Sequence, residues 1–139
     1  MLDDGVDDAP TNTDRSESQV FGPRIARSWL KARRIREEMF GSGLFSDPAW
    51  DILLDLYTAE AKGELVQITS LAAAAAIPHS TAIRWAKILT RDGLLVRNQD
   101  PGDARRIHIS LSPHASKLMH DYFEKLDRDG LAPVRVSSR

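Results

Sequence analysis

The chain has no cysteine, no long apolar run and almost no net charge. Without cysteine there is no disulfide, no thiolate metal site and no thiol redox chemistry. No segment approaches the roughly 18 apolar residues that a membrane span needs, and the acidic start is wrong for a signal peptide. A cytoplasmic protein of bacterial type, without a membrane partner, is therefore expected. Enzyme constellations are missing too: no glycine-rich phosphate loop, no nucleophile motif, no carboxylate pair with an evident partner. The histidines do not add up to a metal site. His114 and His120 face different sides of a helix, and His79 and His108 stand alone. No catalytic residue, cofactor or metal is expected.

What is present suits one domain with a real core: 139 residues, 42% apolar and 28% charged. The net charge of −1 hides an asymmetry. Of 19 basic and 20 acidic residues, one and six fall within the first twenty, so the remainder holds 18 and 14 and is cationic. Local charge is what attracts phosphate, so the near-neutral total is no argument against a nucleic-acid partner.

Composition divides the chain into a disordered acidic tail (1–20), a domain (21–129) and a flexible C-terminal tail (130–139). A first helix is expected over 24–39, with Ile25, Trp29, Ala32 and Met39 on an apolar side. Arg24, Arg27, Lys31 and Arg34 line another side, a solvated face or a contact for flanking phosphate. Such a helix has too much apolar surface to stand alone. Asp47-Pro48 caps a second helix whose core face is Trp50, Leu53, Leu54 and Tyr57. Leu65–Ile68 reads as a short strand. Thr69 or Ser70 then caps a third helix over 71–76, where alanines allow a close crossing.

The stretch from Ile77 to Arg106 organises the rest. Pro78 suits a helix start, and Ala82, Trp85, Ala86 and Leu89 form one apolar stripe, with Trp85 in the core. Ser80, Thr81, Arg84, Lys87 and Arg91 form a cationic, hydrogen-bonding face. Gly93 stops the helix and Leu94-Leu95-Val96 leaves it as a strand. Asp100-Pro101-Gly102-Asp103 is a turn, followed by Arg105-Arg106 and the alternating strand Ile107–Leu111. A basic-faced helix running into a basic-tipped hairpin is the layout of a winged helix-turn-helix. Ser112-Pro113 opens a final helix with Ala115, Leu118, Met119, Tyr122, Phe123 and Leu126 on one face. That face follows an already complete core and is expected to meet a second subunit.

Residues 47–127 resemble the winged-helix regulators of the multiple-antibiotic-resistance-regulator (MarR) family. The likeness lies in Leu71-Ala72, in Ser80-Thr81-Ala82-Ile83-Arg84, in Leu89-x-x-x-Gly93-Leu94-Leu95-x-Arg97, in Asp100–Arg106 and in Ser110-Leu111-Ser112-Pro113. The resemblance implies a mainly α fold with a small β-hairpin wing, flanked by N- and C-terminal dimerisation helices (24–39 and 112–127). It implies a homodimeric transcriptional regulator of double-stranded DNA, with recognition helix 79–91 in the major groove and wing 99–106 at the minor groove. His79, Ser80, Thr81, Arg84 and Lys87 are then the helix contacts, with Arg84 able to donate a bidentate pair to guanine. Arg105 and Arg106 are the wing contacts, and Asp103 supports the wing. The dimer interface would be Ile25, Trp29, Leu118, Tyr122, Phe123 and Leu126. A small-molecule effector is left open. The rival reading is a winged-helix module that binds protein, which has no need of arginines at its wing tip.

Overall fold

The computed structural model describes residues 12–41, 44 and 46–131, with side chains from residue 21 onward. The elements follow in the order α1 (Asn12–Phe40), α2 (Pro48–Lys62), β1 (Val66–Gln67), α3 (Ile68–Ala75), α4 (His79–Arg91), β2 (Leu95–Asp100), β3 (Asp103–Leu111) and α5 (Pro113–Arg128). The strands form one antiparallel sheet in the order β1-β3-β2. The mainly helical winged helix-turn-helix expected from the pattern is the fold observed.

Helix α2 is the element the core is built on. Its sequence suggested one apolar stripe, but Ile52, Leu54 and Leu56 are all fully or almost fully buried. Ile52 and Leu56, one turn apart, share a face and Leu54 points to the opposite one, which is possible only because α1, α3, α4 and β3 all pack against the helix. Around them close Leu71 of α3, Leu89 of α4, Leu95 of β2, Ile109 of β3 and Phe123 of α5. Asp47 caps α2 as expected, accepting from the Trp50 amide, and Ser112 caps α5 by accepting from the Ala115 amide at 3.1 Å.

Several expectations are corrected. Helix α1 starts at Asn12, not near Arg24, so residues 12–20 are helical rather than a disordered tail; residues 1–11 and 132–139 lie outside the described residues. Pro23 lies inside α1 and removes one backbone hydrogen bond, a loss offset by the burial of Ile25 and Ala26 just beyond. Gly22 matters for closeness: a Cβ there would lie 2.6 Å from the Tyr57 hydroxyl oxygen and 3.4 Å from Phe123. Helix α3 begins at Ile68 with Gln67 at its cap and no side-chain cap bond, so neither Thr69 nor Ser70 has that role. It ends at Ala76 in the left-handed conformation, with the Ala76 and Ile77 amides bonded back to Ala73 and Ala72.

The largest correction concerns α5. Its face was expected to wait for a second subunit, yet Ala115, Met119 and Phe123 are buried within the protomer. Phe123 stacks on Tyr57 with ring centroids 5.6 Å apart and packs tilted against Trp29 at 5.3 Å. Ile25 is likewise a core residue. Ile25 and Phe123 are therefore used inside the protomer, by the helices that surround α2. Trp29 and Leu126 are half-buried against the same core, whereas Leu118 and Tyr122 stay 48% and 42% exposed.

Candidate nucleic-acid interface

Helix α4 lies with Ala82, Ala86 and Leu89 buried and Trp85 packed against the core. That stripe turns the opposite face to solvent. His79, Ser80, Arg84 and Lys87 are exposed, with Thr81 and Ile83 half-buried beside them. The start of α4 has Pro78 at the cap position and no side-chain cap bond, unlike α2 and α5. Its first-turn amides thus lack a side-chain acceptor. The Arg84 guanidinium stands 6.0 Å from the centroid of the neighbouring Trp85 ring. That contact biases its direction without neutralising it.

The wing is the β2–β3 hairpin. Ladder pairing runs from Leu95 opposite Leu111 to Gln99 opposite Ile107, then shifts register so that Asp100 pairs with Asp103. The hairpin base is anchored by Leu95, Ile109 and Leu111 in the core, and its tip is in water. Asp103 accepts from the Arg105 amide at 3.0 Å and from Arg105 Nε at 3.3 Å, and Arg106 Nε lies 4.0 Å from its other oxygen. The Arg105 side chain is nevertheless 92% exposed. A pair so open to solvent is held loosely and can exchange its carboxylate for phosphate.

His108 was expected to stand alone, and it does not. It is buried on β3, with Nε2 2.9 Å from Asp100 Oδ2, while Asp100 Oδ1 accepts the Gly102 amide at 2.7 Å. The His108 hydrogen bond, then the Gly102 amide, hold the Asp100 carboxyl below the usual carboxylate range. No local pattern announced this pair, because it closes across a turn whose register the sequence leaves open.

A second charged cluster was missed in the same way. Asp51, in the first turn of α2, is 1% exposed and is held by Arg33 Nε and Arg34 Nη2 of α1. Arg34 also donates from Nη1 to the Ala74 carbonyl of α3 at 3.2 Å. Arg34 is thus a half-buried tie between α1, α2 and the helix before α4. It is not a member of a solvated or phosphate-binding stripe. Arg27 and Lys31 do face solvent. Among the described residues no group of histidine and acidic side chains could hold a metal ion, and no helix is long and apolar enough to cross a membrane.

No protein-family model matches the chain, and no curated protein matches it. Solved structures do. The S. aureus MepR–DNA complex matches with a TM-score of 0.54 at 20% identity, covering 77% of this chain and 82% of that one. AF1382 from Archaeoglobus fulgidus matches with a TM-score of 0.51 at 21% identity, covering 68% of this chain and 96% of that one. A ZitR variant from Lactococcus lactis gives a TM-score of 0.46 at 17% identity, and the chain spans 56% of its length. The shared property is the fold, which this chain has in common with MepR and AF1382.

Proposed function

We propose that the chain is a sequence-specific, double-stranded DNA-binding transcriptional regulator acting as a homodimer. The observation that carries this reading is the pairing of two exposed cationic surfaces on one rigid core. Arg84 and Lys87 project from α4, and Arg105 and Arg106 from the wing, on the fold that MepR presents in a complex with DNA. Helix α4 enters the major groove, where Arg84 reads a base edge. Ser80, Thr81 and the uncapped amides of the first turn meet phosphate, and His79 lies beside them. The wing places Arg105 at a minor groove, whose narrow A·T tracts concentrate negative potential. The exposed arginine tip favours this reading over a protein-binding winged helix.

One such head covers a half-site, and two related by a two-fold axis reach successive grooves. The apolar surface left for assembly is Leu118 and Tyr122 on α5, together with Ile35, Met39 and Phe40 on α1, all more than 40% exposed. The test is selection of bound duplexes from a random pool, followed by binding of wild type and Arg84→Ala to the selected duplex and to unrelated DNA. Arg84→Ala should cost about 1–3 kcal/mol on the selected duplex and little on unrelated DNA, with two protomers per duplex by mass. Failure to enrich any duplex would overturn the reading.

A further inference from the structure

The wing tip hangs on one carboxylate. Asp100 sits just past the register shift of the β2–β3 ladder, paired with Asp103 but cut off from the regular pairing that orders the rest of the hairpin. Its Oδ1 takes the Gly102 amide at 2.7 Å and its Oδ2 faces His108 Nε2 at 2.9 Å. His108 is 7% exposed and lies in the ladder opposite Asn98 of β2 and Gln67 of β1. One end of this chain of contacts is therefore fixed in the sheet, and the other holds the Pro101-Gly102 turn that leads into Asp103 and Arg105 at the start of β3. The His108 ring has a buried Nδ1 with no partner among the described residues. With a proton assigned to Nε2, that N–H donates to Asp100.

We propose that His108 is a positioning residue for the wing: through Asp100 it fixes the Pro101-Gly102 turn relative to the sheet and so aims Arg105 at DNA. The inference rests on the DNA-binding reading above and adds to it a residue that touches no DNA. An exposed two-residue turn without this tie samples many orientations, and each must be lost again on binding.

The experiment has two readouts. In the free protein, amide hydrogen exchange at Gly102 and Arg105 should accelerate in His108→Leu, while amides of α2 and α4 keep their wild-type rates. His108→Gln, which keeps a side-chain N–H donor, should restore much of the protection. On the duplex selected by wild type, His108→Leu should weaken binding about three- to tenfold and add nothing in an Arg105→Ala background, as coupled residues behave. Losses that simply add in the double variant, or unchanged exchange at Gly102, would overturn the role given to His108. A wild-type protein that selects no duplex would instead sink the DNA reading itself, and the two failures are distinct.

Discussion

Two aspartates each hold a pair of adjacent arginines, one inside the protein and one at its tip. Asp51, 1% exposed, binds Arg33 and Arg34 of α1, whose side chains are 16% and 22% exposed. Asp103 binds Arg105 and reaches Arg106, whose side chains are 92% and 63% exposed. The chemistry is the same and the dielectric is not. An unpaired charge at the first site would be stranded in a poor solvent, so the ions there are committed to one another. At the wing, water and salt stand ready to replace either partner, so the pair orients its arginines and leaves them available. Burial turns one cluster into architecture and exposure turns the other into a reagent.

The harshest way to break that contrast is to remove the buried anion. Asp51→Ala should cost about 3–5 kcal/mol of stability, because two arginines lose the buried carboxylate that joins α1 to α2. Partial exposure lets both arginines reach water, which places the loss toward the lower end. Urea denaturation checks it, and the loss should persist in high salt. A cost under 1 kcal/mol would mean that the buried cluster behaves like a surface pair.

A third aspartate sharpens the comparison. Asp55 lies one turn beyond Asp51 on α2, part-buried and with no hydrogen bond or ion pair among the described residues. Burial, and then Glu64, push its carboxyl up to about 6, with Lys62 opposing. Since the folded value lies above the ordinary 3.8, its contribution to stability is fully present below 3.8 and is lost as pH rises through 6. Asp55→Asn should therefore stabilise the protein by about 1–2 kcal/mol at pH 7, a figure reduced for residual solvent screening, with the gain vanishing near pH 4. Thermal melts at both pH values measure it. A gain independent of pH would show that ionisation is not the cause.

The smallest effect on stability belongs to the wing. Asp103→Ala should change stability by no more than about 0.5 kcal/mol, within the range of exposed pairs. It should nonetheless weaken binding to a selected duplex, because Arg105 loses the contact that orients it. The binding loss should shrink as salt rises, unlike the stability loss at Asp51. A large drop in melting temperature would place Asp103 in the architecture after all.

Much of the reading head was legible in the chain. The stripe Ala82, Trp85, Ala86 and Leu89 predicts which face of α4 is buried, and hence that Arg84 and Lys87 face water. The Asp-Pro-Gly-Asp turn between apolar stretches predicts a hairpin, and Asp47-Pro48 and Ser112-Pro113 predict two helix starts. These are local signals, decided by periods of 3.6 and 2 and by backbone sterics, so a single strand of sequence carries them. Partnerships between distant residues were not legible. Nothing in the sequence marked Asp51 out, Arg34 read as a solvated cation or a phosphate contact, His108 as an isolated ring and Phe123 as a subunit contact.

Local patterning in the chain marks the existence of most helices and strands, the apolar stripe of α4 and where positive charge collects, while the starts of α1 and α3 escaped it. Which apolar faces are consumed inside one protomer, and which charges become buried pairs, was settled by packing between distant elements. Those outcomes depend on how α1 and α5 close over α2, and burial is a property of the assembled neighbours rather than of the residue. The same aspartate–arginine chemistry could have become a tie or a contact, and packing settled which.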